Sequence, residues 1–469
     1  MWFRGDLVHC PNLGELNVLY DYILGVDQSG YIAYVAPATT AESLAIIDAS
    51  KEPIILVPRG SFLLPTFCDL HLHAPQFLYQ GTGLHLPLME WLNEYAFRAE
   101  ESLDANPILA EKVYRRLATR LIENGTGAVL LFGTIKTETN IILARVMQEA
   151  GLRAFVGKLS MDISSRATYV EQSAESSLDS ARSFVDQCHN LCAHMPAHER
   201  LVEPVITPRF VPTCSDGLLE GLGKLAAEKT LRVQSHMAEA HDQIDWVRRE
   251  RGADDVDIFA RHGLLTPRTV QAHCTFLGAP ALSDIARRAT AVAHCPLSNA
   301  YFSAQPFRLR EALQRGVRVG LGTDIAGGYD VDIMGSMRQA VAVSRMREGA
   351  RIMADTNEDG QVAEGARQVN LAVDWKEALY LATRGGALAL GLPAGCGTFT
   401  VGAPFDAQFI RVFSETTGEG IGSLDFFDTD KNAAKRKTLA VDMIEKWWCL
   451  GDHRNREGMW VQGRKVSAP

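Results

Sequence analysis

The stretch PTFCDLHLHAPQ (65–76) closes the apolar run Phe62 to Leu70 with two histidines, His71 and His73, set two residues apart. Alternate residues of a strand project to the same side, so an extended run here places both imidazoles on one face. Two neutral imidazoles at that spacing can hold a divalent transition metal, zinc being the default. Such a pair also arises on solvated loops, so its meaning depends on the rest of the chain. Three later stretches repeat the arrangement. LRVQSHMAEAHD (231–242) reads as a strand ending at His236, with Glu239 three residues on. TVQAHCTF (269–276) is a strand ending at His273, and VRVGLGTDIAGG (317–328) is one ending at Asp324 before a glycine-rich turn. A lone polar residue at a strand end is more often a hydrogen-bonded core group than a ligand. Four strand ends carrying His, His, His with Glu, and Asp in one chain read as a site.

Outward from these ends, residues 63 to 390 alternate short apolar runs with longer amphipathic ones. Candidate strands fall at 63–71, 127–133, 153–159, 202–208, 231–236, 269–274, 291–295 and 317–324, with helical stretches such as 108–125, 140–151, 219–230 and 309–316 between them. Gly125, Gly151 and Gly316 stand where helices stop, as C-terminal caps do. Eight strands alternating with helices predict an α/β fold, a (β/α)₈ TIM-like barrel, and the candidate ligands all sit at carboxyl ends of strands, where such barrels do chemistry. The chain ends differ. VLYDYILGVDQSGYIAYVAP and PIILVPRGS near the start, and GTFTVGAPFDAQFIRV (397–412) and GMWVQGRKV (458–466) near the end, are short β-type runs. Neither end alone has enough strands for a stable sheet, so the two are expected to combine into one small β-sandwich domain. The expected division is 1–62 and 393–469 for the composite β-domain and 63–392 for the barrel. The polar segment 414–438 reads as a long loop.

Composition sets outer limits. The chain has 469 residues, 46% hydrophobic and 22% charged, ordinary for a globular protein with a large core. Net charge is −9, from 47 basic and 56 acidic residues, and the basic cluster KNAAKRK (431–437) reads as a solvated loop face, so nucleic acid is not expected as a partner. No segment approaches the ~18 apolar residues of a membrane-spanning helix, and the N-terminus lacks a signal-peptide core. Nine scattered cysteines, with no CxxC, argue against a disulfide framework and fit a reducing cytosol. CHNLCAHMPAHE (188–199) gathers Cys188, His189, Cys192, His194 and His198, but Cys188 and Cys192 share one face of a helix running to Ala193 and read as small apolar residues. His294 reads as structural, and His85 and His241 as loop residues.

The HxH at the first barrel strand, the later His, His and Asp, and the β-domain drawn from both termini resemble the amidohydrolase superfamily. HLHAPQFLYQGTGLHLPLMEWLNEYAFRAE (71–100), TPRF (207–210), SHMAE (235–239) and GLGTDIAGG (320–328) look like the guanine deaminase family within it. Thr66-Phe67-Cys68 depart from the pattern, which has a glycine and no cysteine there. The resemblance spans nearly the whole chain and implies one Zn²⁺ per chain, guanine as substrate and a homodimer. It implies His71, His73, His236 and Asp324 as metal ligands, a set able to lower the pKa of a bound water towards ~7. Asp324 is then the general base, Glu239 the proton donor to the ring nitrogen beside the attacked carbon, and His273 the partner of the attacking oxygen. Gln76, Arg209 and Phe210 read the purine, the first two by hydrogen bonds and the third by covering a face, beside His73, His236, Glu239 and Asp324. Another aminated heterocycle, such as an aminopurine, a pterin or a triazine, would use the same metal residues and differ at Gln76, Arg209 and Phe210. A barrel that has lost its metal is disfavoured by the intact set. Deaminases with a cysteine-rich zinc site are excluded, since their HxE…PCxxC signature is absent.

Overall fold

The computed structural model describes residues 1–50, 53–356, 370–427 and 439–467, where two sheets of eight strands are formed. The N-terminal part supplies β1 (Trp2–His9), β2 (Asn17–Val26), β3 (Ile32–Pro37), β4 (Ile54–Leu56) and β5 (Ser61–Pro65). The next eight are β6 (Phe67–His73), β7 (Thr126–Phe132), β8 (Arg153–Ser160), β9 (Val202–Pro208), β10 (Arg232–Met237), β11 (Thr269–His273), β12 (Ala291–His294) and β13 (Arg318–Leu321). The C-terminal part adds β14 (Ala407–Arg411), β15 (Arg456–Val461) and β16 (Arg464–Val466).

Strands β6 to β13 lie side by side in chain order, all parallel, with helices in the connections. This is the expected (β/α)₈ barrel. Its last strand meets its first through the candidate ligands' own backbone: the Asp324 N–H donates to the His71 carbonyl at 2.8 Å, and the His73 N–H to the Ile325 carbonyl at 3.0 Å. The other sheet runs β16-β15-β14-β5-β1-β2-β3, with β4 also on β1, so both ends of the chain combine into one β-domain as expected, here built on a single eight-stranded sheet. A buried ion pair ties it to the barrel, Arg153 Nε donating to Asp406 Oδ2 at 2.6 Å.

The expected first strand, 63–71, is in fact two. Residues Ser61–Pro65 pair with β14 in the terminal sheet, the Thr66 N–H still reaches the Asp406 carbonyl, and the Phe67 N–H turns to the Gly125 carbonyl of the barrel. A continuous apolar run looks the same whichever sheet it joins, and only the partners reveal the change. His241 opens the helix His241–Arg251 rather than lying in a loop. The helix carrying Cys188 and Cys192, Ala174–Cys192, buries both thiols as its spacing predicts, and this segment contributes to none of the metal-ligating clusters among the described residues. The basic run at 431–437 lies outside the described residues.

Candidate active site

All six strand-end residues converge, and all are buried. Ligand atoms of His71, His73 and His236 lie within 4.8 Å of one another, as do those of His71, His273 and Asp324, and those of His236, Glu239 and His273. His73 Nε2 is 2.9 Å from His236 Nε2, and His71 Nε2 is 3.0 Å from Asp324 Oδ1. Asp324 Oδ1 stands 3.8 Å from His73 Nε2, and Asp324 Oδ2 3.7 Å from His273 Nε2. Two of these residues sit in left-handed backbone, His273 at φ +68° and Asp324 at φ +52°, a costly conformation for residues with side chains and one concentrated at functional sites.

Neighbours fix the rings. His236 Nδ1–H donates to the Arg209 carbonyl at 2.6 Å, leaving the Nε2 lone pair towards the cluster. His273 Nδ1 is 2.9 Å from Asn299 Oδ1, an acceptor, so its Nε2 is also left bare. Burial first, then the neighbouring imidazoles, hold His73 and His236 far below the usual histidine range, and burial does the same for His71. Neutral imidazole is the metal-binding form. His71 Nε2 and His273 Nε2 are buried with no hydrogen-bond partner, which for polar atoms in a core calls for an occupant. Three imidazole nitrogens and a carboxylate oxygen around such orphaned atoms fit a divalent cation. Lys158, near the end of β8, is engaged in a buried ion pair with Glu171 and so does not serve as a ligand bridging a second metal ion.

Glu239 lies 3.5 Å from His273 Nε2 through its Oε1. Burial, then the Asp324 carboxylate, push its carboxyl well above the usual range, which favours the protonated form. Burial also raises Asp324, which His273 opposes.

Beside the cluster is a small cavity. Its lining includes His73, His236, Glu239 and Asp324 of the cluster together with Gln76, Arg209 and Phe210. Every residue singled out for substrate in the sequence therefore faces one space. Gly327 completes the wall; a Cβ there would meet Asp324 Oδ2 at 2.8 Å.

Sequence reading missed Glu100. Its side chain is fully buried, accepting from Arg209 Nη1 at 2.6 Å and from Gln76 Nε2 at 3.2 Å, so it braces both polar walls. Gln76 Oε1 in turn accepts the Ala326 N–H at 3.0 Å, and the Arg209 guanidinium lies 4.8 Å above the Phe97 ring. Arg209 Nη2 is left buried and without a partner. The helix Phe97–Ala105 places Phe97, Glu100 and Leu103 on one buried face, so an acid at a core position of an amphipathic helix was the available signal. Trp91 and Phe302, ring centroids 5.0 Å apart, add an aromatic wall that was also missed. His294 is buried at the end of β12 beside Phe307 but outside the cluster, and burial pushes it down to about 3.

Residues 62–451 match the amidohydrolase family. The guanine deaminase of Mus musculus is 34% identical over 467 residues, 99% of this chain and 96% of the relative. That of Dictyostelium discoideum is 32% identical over 99% of this chain and 97% of the relative. Among solved structures, a guanine deaminase from C. acetobutylicum with bound guanine in the active site superposes with a TM-score of 0.83 at 28% identity, over 99% of both chains.

Proposed function

The chain belongs to the amidohydrolase family, and from that premise we infer that it is a guanine deaminase, converting guanine and water to xanthine and ammonia. The observation that carries the reading is the shared cavity: metal-type donors line it together with Gln76, Arg209 and Phe210. Relatives more than 30% identical over nearly the whole length support the same substrate.

His71, His73, His236 and Asp324 would hold one zinc ion per chain. Bound there, it supplies the Lewis acidity that makes water a nucleophile near neutral pH. The remaining work belongs to side chains. Arg209 Nη2, buried and free, donates to the guanine oxo group, while Gln76, already held by Glu100 and the Ala326 N–H, keeps one N–H and one lone pair for the ring edge. Phe210 covers a purine face. With the ring so held, its exocyclic amine points to the cluster. Asp324, as carboxylate, accepts a proton from the attacking water, and His273 Nε2 accepts a hydrogen bond from the same oxygen. Protonated Glu239 gives its proton to the ring nitrogen beside the attacked carbon, where the proton stays. Of the two water protons, one ends on the departing amine and the other restores Glu239.

The reading extends to a homodimeric enzyme of the cytosol, a location supported by nine free thiols. Glu239→Gln tests the chemistry: it keeps the shape and removes the transferable proton. Turnover of guanine should fall by ~10²–10⁴-fold with zinc retained. Full activity in that variant would remove Glu239 from the mechanism.

A further inference from the structure

The proton donor stands on a loop, and its backbone is held from outside the cavity. Glu239 follows Ala238, a non-glycine residue at φ +47°. The Glu239 N–H donates to Gln243 Oε1 at 3.0 Å, and its carbonyl accepts from the Ser303 hydroxyl. Gln243, wholly buried, is fixed at its other end: Nε2 donates to Asp255 Oδ2 at 2.9 Å. The same carboxylate oxygen accepts the Ala238 N–H at 2.7 Å. An N–H at one end and a carboxylate at the other leave the Gln243 amide a single orientation.

Asp255 is an expensive residue for this place. It is buried, makes no ion pair among the described residues, and its Oδ1 has no hydrogen-bond partner. A buried carboxylate persists against that cost only where its bonds matter to the structure around it. The two bonds it makes go to Ala238 and Gln243. Neither Asp255 nor Gln243 lines the substrate cavity; Asp255 and Ala238 border a separate cleft.

We propose that Asp255 and Gln243 are positioning residues that hold the strained Ala238–Glu239 turn, so that the Glu239 carboxyl meets the substrate ring. The proposal rests on the reading of Glu239 as proton donor. A donor displaced by about 1 Å loses on the order of 10²-fold in rate. Among the described residues, the side chains of Asp255 and Gln243 bond only to the Ala238–Glu239 backbone and to each other, so their loss is expressed in kcat and not in metal or substrate binding.

The test is a mutant cycle on the zinc-loaded enzyme. Asp255→Asn and Gln243→Leu are made alone and in the Glu239→Gln background, with kcat and KM for guanine and metal content measured. The expected result is a kcat loss of roughly 10- to 100-fold in each single variant, with KM within about twofold and zinc unchanged. In the Glu239→Gln background neither substitution should lower kcat further. A general structural role would instead lower kcat in both backgrounds. Losses that multiply, unchanged kcat in the singles, or loss confined to KM or metal would overturn the proposal. Should Asp255→Asn fail to fold, the Gln243→Leu cycle decides alone. A fully active Glu239→Gln enzyme would refute the proton-donor reading and the clamp with it, whereas an impaired one with multiplying losses would refute the clamp only.

Discussion

Glu100→Gln is the perturbation for which the structure gives the clearest magnitude. The carboxylate accepts from Arg209 Nη1 and from Gln76 Nε2, one oxygen to each, and side-chain exposures in the ion pair are 2% for Arg209 and 0% for Glu100. An amide keeps one acceptor and turns an NH₂ group against the other donor. The charge of Arg209 is then left without its anion inside the protein, a state that costs ~3–5 kcal/mol. The guanidinium escapes that cost by leaving its place above Phe97, and returning it to meet the guanine oxo group takes up to the same free energy. At about 1.4 kcal/mol per tenfold, kcat/KM for guanine should fall by roughly 10²-fold or more. Most of the loss should appear in KM, since Arg209 grips ground state and transition state alike. Ammonia release at varied guanine gives both constants, and metal analysis with circular dichroism checks that cluster and fold survive. Parent-like kcat/KM in a folded, metal-loaded variant would refute the idea that Glu100 braces the purine-reading wall.

Three further outcomes follow from the same geometry. Arg209 offers only donors, so adenine, with an amine in place of the oxo group, should be rejected by ~10⁴-fold or more in the parent, and Arg209→Ala should lose most of its guanine activity; comparable rates on both purines would contradict the role of Arg209. Chelation should abolish activity and one equivalent of zinc per chain should restore it, with Lys158 unable to bridge a second ion while paired to Glu171; two tightly held metals by elemental analysis would overturn the mononuclear site. His9 Nδ1 accepts the Phe399 N–H at 2.9 Å, and burial pushes His9 down to about 4, so the folded state favours the neutral ring. The unfolded chain therefore binds the extra proton between about pH 6.5 and 4, and acid removes about 1.4 kcal/mol of stability per pH unit through this group; His9→Gln should flatten that limb in pH-dependent denaturation, and an unchanged slope would count against it.

The barrel and its metal-type cluster were legible because their signals are local. A ligand at the end of an apolar strand is visible in a few residues, and strand ends in a parallel barrel meet by construction. His71, His73, His236, Glu239, His273 and Asp324 needed no knowledge of long-range pairing. Gln76, Arg209 and Phe210 were reached by family likeness rather than by spacing, since nothing local distinguishes Arg209 from a surface arginine. Glu100 was not reached at all. It is 109 residues from Arg209 and 24 from Gln76, and its role exists only once three elements pack. Asp255 was hidden in the same way: its partners are a backbone N–H and a glutamine from another helix. The change of sheets at Thr66 was invisible because extended apolar chain carries no mark of which sheet will take it.

Incubating the purified, zinc-loaded protein with guanine and following xanthine and ammonia together decides whether this chain deaminates guanine. One xanthine and one ammonia are expected for each guanine consumed, with adenine, cytosine and a triazine left essentially untouched. Intact guanine, or faster release of ammonia from one of the other rings, would contradict the guanine deaminase reading.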